Sequence, residues 1–568
     1  MIDPHGNKLV SFHLSKGELE EYSELSNTIS SLTLSLKQQC DLEMILNGAF
    51  SPLLTFNNQK DYEEILLNNK LLNGVIWPIP IVLDVPNDFL KALDKNEHIS
   101  LRNAEGFLLA ILKVREFWSP NKKDEANSIF KTIDENHPGV DYLFNHTNSN
   151  YISGELIPIQ SNKYFDFTHL RKSPQEVRDL FRSKRWQDVI AFQTRNPMHR
   201  AHFELTRLAM EQHNAKLLIH PVIGISKPGD IDHFTRVKCY QHIIKHYPEN
   251  SVELSLINLA MRMAGPKEAL WHAIIRKNYG CNYIIIGRDH AGPGVDAKGK
   301  PYYQPYDAQE LISQYQEELE IKMVPFQEMV FAKNKRNYLP LDQIKEEDQI
   351  ETLSGTQFKE LLKQRTEIPN WYSFPEVVHE LRRRYPKLHN QGLTVFFTGL
   401  SGAGKSTLAN ALMYKLMEME DRPITLLDGD IVRQHLSSEL GFSKEDRDIH
   451  VKRIGYVASE ITKHGGVAIC APIAPYSNTR KTVRNMIDEV GSFVEIHVST
   501  PLSVCEERDV KGLYKRARAG KILDFTGVSD PYEEPQNPEI TIDTSDISVE
   551  ESSAIIIDKL RSMKLLGN

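Results

Sequence analysis

Thirteen consecutive residues constrain this chain more than any others: Val395-Phe396-Phe397-Thr398-Gly399-Leu400-Ser401-Gly402-Ala403-Gly404-Lys405-Ser406-Thr407. They run from an apolar strand through a glycine-rich loop into a helix, and they carry the spacing G-x-x-x-x-G-K-[ST] of a phosphate cradle. Glycines permit positive φ angles and close backbone approach, so successive N–H groups converge on anionic oxygens at the partly positive helix start. Gly399, Gly402, Ala403, Gly404, Lys405, Ser406 and Thr407 are therefore expected to bind a nucleoside triphosphate, with Lys405 on the β/γ oxygens and Ser406 on Mg²⁺. Around this loop, strand-like runs at 393–398, 424–427, 467–469 and 493–498 alternate with longer amphipathic stretches. That alternation predicts a parallel α/β domain.

The rest of the chain is too long to share one core, since 568 residues correspond to roughly three or four domains. A balance of 40% hydrophobic and 25% charged residues is that of a globular protein, and no run reaches bilayer-spanning length. Residues 1–10 carry Asp3, His5, Asn7 and Lys8 in place of a basic and then apolar leader, so a cytoplasmic, membrane-free protein is expected. Cys40, Cys239, Cys281, Cys470 and Cys505 lie far apart, which fits thiols better than zinc or disulfides. A net charge of −8 argues against nucleic acid as a partner.

A second α/β pattern occupies 185–290, with strands expected at 188–192, 217–222 and 283–286 and helices at 200–213 and 266–277. The first 170 residues are less periodic. Short β-like runs at 75–83 and 107–114 predict an accessory mixed or barrel-like domain without a chemical constellation. Proline-bracketed segments at 369–375 and 384–386 mark a boundary. The basic run 382–384 reads as a solvated helix C-terminus before it reads as a phosphate site.

Two loops of the second pattern follow strand C-termini, where open α/β sheets bind ligands. In the first, Gln193-Thr194-Arg195-Asn196-Pro197-Met198-His199-Arg200-Ala201-His202, the histidines lie one helical turn apart beside amide, hydroxyl and guanidinium donors. The second is Gly287-Arg288-Asp289-His290-Ala291-Gly292-Pro293-Gly294. Donor-rich loops at neighbouring strand ends point to oxyanion chemistry. Between them, 261–266 reads equally as a mobile flap carrying Arg262 or as a plain loop leading into a helix.

These motifs, with 213–224, 328–330 and 353–356, closely resemble ATP sulfurylase over 1–390. The resemblance implies an α/β multidomain chain: a β-rich PUA-like domain over 1–170, a Rossmann-like nucleotidyltransferase domain over 171–329, and a connecting subdomain over 330–391. It also implies an activity, attack of sulfate on the α-phosphorus of MgATP to give adenylyl sulfate and pyrophosphate. Gln193, Arg195 and the backbone at Ala291 would hold sulfate, and His199 and His202 the ATP phosphates. Thr194, Asn196 and Arg288 would stabilise the transition state, Gly287, Asp289 and His290 would complete the substrate site, and Val330 would contact adenine. Such a reaction requires neutralised repulsion and in-line placement, with no covalent protein nucleophile.

Residues 392–568 resemble adenylylsulfate kinase through Asp428-Gly429-Asp430-x-x-Arg433, Gly441-Phe442, Asp446-Arg447, 471–476, Lys511–Tyr514 and Phe525-Thr526-Gly527. That likeness implies a P-loop kinase domain phosphorylating the 3′-hydroxyl of adenylyl sulfate to give 3′-phosphoadenylyl sulfate (PAPS). Asp430, with Asp428, would serve Mg²⁺ and the hydroxyl; Arg433, Arg447 and Lys511 would bind substrate anions; Phe442 and Phe525 would stack on adenine. Read without that context, Asp430 also suits a helix N-cap, the weaker and compatible reading, and each aromatic alone is more often a core residue than a base clamp. Ala474 and His450 stand where these kinases commonly have serine and asparagine. The same departures resemble the regulatory C-terminal domain of fungal ATP sulfurylases, whose phosphate cradle is degenerate. The intact cradle favours catalysis here, with an allosteric PAPS-binding module as the alternative. A homo-oligomer is expected.

Overall fold

Side-chain alternation explains the C-terminal sheet. In strand Leu393–Gly399, Leu393, Val395 and Phe397 enter one buried cluster while Phe396 enters another. A strand buried on both faces belongs at the centre of a parallel sheet. The order is Ile424–Asp428, Val467–Ala471, Leu393–Gly399, Ser492–Val498 and Ile540–Ile542, with every pairing parallel. Helices Lys405–Met419 and Val549–Ser562 fill one face, and Lys444–Lys463 and Ser477–Asp488 the other.

This computed structural model describes residues 1–568 except 92, 94–96, 225–230, 326–327, 365, 384–387, 420, 510–511, 523 and 568. The chain divides into two compact units, Met1–Lys359 with Glu367–Leu381, and Glu360–Thr366 with Arg382–Asn568.

Among the described residues, the first unit contains three sheets. Its N-terminal sheet is mixed, in the order Ser30–Thr33, His98–Arg102, Leu108–Trp118, Asn150–Pro158 and Leu83–Val85. The strand expected over 75–83 is not formed. Only its last residue belongs to Leu83–Val85, because Pro78 and Pro80 have no N–H to donate; Trp77, Ile79 and Ile81 are buried from irregular backbone instead. A small antiparallel sheet joins Met329–Ala332 to Asn337–Pro340 and Ile350–Glu351.

The central sheet is parallel throughout, in the order Lys322–Pro325, Tyr283–Ile286, Val189–Phe192, Lys216–Ile219 and Val252–Leu254. The strand expected over 217–222 stops at Ile219 just before Pro221, and Val222 makes only an isolated bridge to Ile257. From Val189–Phe192 the chain adds two strands on one side, then returns to add Tyr283–Ile286 and Lys322–Pro325 on the other. Connections leaving neighbouring strands in opposite directions open a crevice at their C-terminal ends. All five cysteines are buried thiols, and no helix among the described residues is long and apolar enough to cross a membrane.

Candidate active sites

In that crevice lies a cavity of ≈ 340 Å³. Gln193, Thr194, Arg195, Asn196 and His202 form one wall, Gly287, Asp289, His290, Ala291 and Gly292 the other, and Met261 closes it. The first wall is held by its own backbone. Thr194 Oγ1 donates to Asn196 O at 2.9 Å and accepts from Asn196 N at 3.1 Å. Two residues of helix His233–Ile244 reach the same loop: Arg236 Nη1 donates to Arg195 O at 2.7 Å and Tyr240 OH to Asn196 O at 2.7 Å. On the second wall, Ala291 adopts φ 56° and its carbonyl accepts from Gly265 N at 3.2 Å. The Asp289 carboxylate packs over Gly292, where a Cβ would stand 1.8 Å from its Oδ1, so any larger residue there would have to turn the Asp289 side chain aside.

The cavity offers donors in preference to titratable bases. His202 Nδ1 accepts the His199 N–H at 3.2 Å, so a neutral ring carries its proton on Nε2. Burial lowers His202 to about 4, and burial with the neighbouring His202 lowers His199 to about 3. Both imidazoles are neutral at pH 7. The Arg195 side chain lies alongside Met263, with Nη1 3.7 Å from Sδ.

In the second unit, Gly399 (φ 150°), Gly402 (φ 76°) and Gly404 (φ 100°) bend the loop around Lys405. A Cβ at residue 399 would meet Val498 O at 2.5 Å. Lys405 is 7% exposed and its Nζ donates to Leu400 O at 2.7 Å, inside the loop. Ser406 Oγ donates to Asp428 Oδ2 at 2.7 Å. Asp428 also N-caps helix Gly429–Leu436, its Oδ1 accepting from Asp430 N at 3.0 Å. Arg447 Nη1 lies 2.7 Å from Thr526 Oγ1 and 3.0 Å from Asp530 Oδ2, beside Tyr476, whose hydroxyl donates to the same carboxylate.

The amino-acid sequence that carries these sites has clear relatives. Residues 168–384 match the family described as ATP-sulfurylase, 391–543 adenylylsulphate kinase and 2–161 the PUA-like domain. A sulfate adenylyltransferase of Neurospora crassa is 45% identical over 569 residues, with 99% of each chain covered. The chain belongs to the sulfate adenylyltransferase family. Another member, from Phaeosphaeria nodorum, is 46% identical over 96% of each chain. A solved structure described as a hexameric APS kinase from Thiobacillus denitrificans aligns over 100% of both chains with a TM-score of 0.80 at 36% identity. This member of the family is a bifunctional transferase by its domains, an ATP-sulfurylase followed by an adenylylsulphate kinase.

Several residues singled out in the sequence stand differently from expectation. His199 is outside the cavity lining. Its ring packs 4.7 Å from Phe358 and 4.9 Å from Tyr372, and its Nδ1 is 2.9 Å from Ser373 Oγ. Arg288 forms a surface ion pair with Glu328 at 2.9 Å. Val330 is buried in its strand opposite Leu339. Arg262 is no loose charge on a flap, because its Nη2 donates to both oxygens of buried Asp41, at 2.7 and 2.6 Å. The helix cap is Asp428, not Asp430, and Asp428 is the carboxylate that meets Ser406.

Phe442 is exposed with the Arg433 guanidinium 4.7 Å from its ring, and Arg433 Nη1 donates to Gly441 O at 2.9 Å. Phe525 meets Tyr514 edge-on at 5.1 Å. Lys511 lies outside the described residues. His450 is an anchor: its Nε2 donates to Gly429 O at 3.0 Å and its Nδ1 accepts from Ser437 at 3.0 Å, at both ends of the Asp430 helix. Burial and nearby Arg433 lower its pKa to about 4.

The sequence reading missed Arg236, Tyr240, Asp41, Glu268 and His272. The first three act from distant segments with no local signature. Glu268 and His272 had one: ionisable residues at four-residue spacing in a helix otherwise apolar enough to be buried.

Proposed function

We propose that this chain activates sulfate in two steps. A sulfate oxygen attacks the α-phosphorus of ATP, forming adenylyl sulfate and expelling pyrophosphate; then the 3′-hydroxyl of adenylyl sulfate attacks the γ-phosphorus of a second ATP, giving PAPS and ADP. Sulfate is already deprotonated, so the first step moves no proton. Arg195 and the Nε2–H of His202 hold anions against mutual repulsion, while Gln193, Thr194, Asn196 and the 287–292 loop set the approach.

In the second step the hydroxyl proton passes to Asp430, Lys405 neutralises the β/γ oxygens, and Arg433 and Arg447 hold adenylyl sulfate. Mg²⁺ would arrive with ATP and supply charge neutralisation at the phosphates. Ser406 and Asp428 fit it, being two adjacent oxygen donors; among the described residues no group of three His, Cys, Asp or Glu could hold a metal. The observation carrying the reading is that the two donor-rich loops share one cavity, with an intact Lys405 cradle in the kinase domain. Boundaries near 170, 329 and 391 belong to the same proposal. So does self-association, supported by the hexameric relative and testable by light scattering.

Purified protein given MgATP and labelled sulfate should accumulate adenylyl sulfate and then PAPS. Lys405→Ala should stop at adenylyl sulfate. PAPS formation by that variant at the wild-type rate would refute kinase chemistry at the cradle. Adenylyl sulfate without PAPS from the wild type would make the C-terminal domain a binding module.

A further inference from the structure

Helix Pro266–Asn278 is buried almost throughout, yet it carries Glu268, His272 and Arg276 at four-residue spacing on one face, each with 0% exposure. Polar groups so placed destabilise the fold unless they find partners. The Glu268 carboxylate accepts the N–H groups of Arg262 at 2.8 Å and Ala264 at 2.9 Å, in the segment beside the cavity. Its Oε1 lies 3.4 Å from His272 Nε2. His272 in turn reaches both cavity walls: Nδ1 is 3.0 Å from His290 Nε2, and Nε2 is 3.4 Å from the side-chain nitrogen of Gln193. Gln193 Oε1 is left buried without a partner.

These contacts determine where the protons go. The two ends of a glutamine amide are distinguished by their hydrogen bonds. As placed, the amide leaves its oxygen buried without a partner and makes His272 Nε2 an acceptor facing the Glu268 carboxylate oxygen, which is the poorer choice. Turned end for end, the amide places its oxygen against His272 Nε2 and frees its NH₂ group. The Nε2 proton of His272 then lies between two acceptors, Gln193 Oε1 and Glu268 Oε1. A neutral imidazole has one N–H, so His272 Nδ1 is an acceptor and His290 Nε2 must donate across the 3.0 Å contact. Burial holds both rings neutral, lowering His272 and bringing His290 to about 3.

We propose that Glu268 and His272 are positioning residues of the sulfurylase cavity: together they fix His272 and His290 as Nε2–H tautomers and turn the Gln193 NH₂ group toward the bound anion. The proposal rests on the reading of this cavity as the sulfate site.

Histidine-selective ¹⁵N labelling of the full chain tests it directly, with resonances assigned through His272→Asn and His290→Asn. Wild-type His272 and His290 should both show Nε2–H. An Nδ1–H form at His272 overturns the proposal, whatever the variants do. His272→Asn keeps a polar group facing His290 but withdraws the one facing Gln193. It should raise the sulfate KM about tenfold, leave the ATP KM within about twofold, and alter the His290 tautomer. A sulfate KM within about twofold of wild type in a folded variant overturns the assignment. Failure of the wild type to form adenylyl sulfate would instead sink the catalytic reading of the cavity, while the spectra still decide the tautomers.

Discussion

Ser406 Oγ donates a 2.7 Å hydrogen bond to Asp428 Oδ2, tying the first turn of the cradle helix to the cap of the next. The same carboxylate therefore caps one helix and holds the Ser406 side chain of the cradle, and substitutions can separate the two. Asparagine also caps helices, so Asp428→Asn should keep the fold while lowering kinase turnover by about 10²-fold. Asp428→Ala should additionally lose about 1 kcal/mol of helix stability. ADP release with adenylyl sulfate as acceptor measures the first effect and thermal unfolding the second; adenylyl transfer from sulfate should be unchanged in both.

Arg195→Ala should lower sulfate-dependent turnover by about 10²- to 10³-fold, the usual cost of one preorganised donor. Its loop is fixed through backbone atoms by Arg236 and Tyr240, so the unfolding temperature should stay near wild type. Pyrophosphate release at saturating ATP, followed against sulfate concentration, provides the measurement.

All five tryptophans, 77, 118, 186, 271 and 371, fall within the first unit, so their fluorescence reports its unfolding alone. Asp41 and Arg262 are 2% and 7% exposed. Removing one partner of a buried ion pair costs about 3–5 kcal/mol, whereas replacing both by apolar groups is often near neutral. Asp41→Asn should therefore lower the fluorescence midpoint strongly, and Asp41→Leu combined with Arg262→Met should recover much of the loss. A double variant as unstable as the single one would show that the pair's charges are not the issue.

His202 has a folded pKa of about 4 against about 6.5 in an unfolded chain. Between these values the unfolded state binds more protons, so stability from the neutral ring is complete above pH 6.5 and is lost as pH falls toward 4. Buried Glu43, Glu125 and Glu268 have raised pKa values and pull in the opposite direction, so the histidine term is read as a difference. His202→Gln should flatten the pH dependence of the fluorescence midpoint between about pH 6.5 and 4 relative to wild type. Parallel curves would remove His202 from the account.

Where a loop and its flanking elements are contiguous, the sequence was readable. The Gly399–Ser406 loop and the 193–202 and 287–294 segments each carry their donors, turns and strand context within about ten positions. Parallel α/β layering followed from buried runs such as 393–398 because both faces of such strands are apolar. What holds those loops was not readable. Asp41 precedes Arg262 by 221 positions and Ser373 follows His199 by 174, and pairing over such spans depends on tertiary packing. His450 looked like a departure from kinase chemistry, but its two hydrogen bonds give it a structural task that its neighbours in sequence do not announce. The missing strand at 75–83 is a local error, where hydrophobicity outweighed two prolines in the reading but not in the fold.

The opposing walls of the first-unit cavity grow from adjacent strands joined through only two aligned pairs, Ile190 with Tyr283 and Ala191 with Ile284. Sliding one strand by a single residue would displace its wall by about 3.3 Å and invert every side chain on it. Loop lengthening elsewhere leaves that alignment untouched. An engineer reshaping anion selectivity should therefore graft and trim at the rim, and treat the short seam beneath as the gauge block from which the whole pocket is measured.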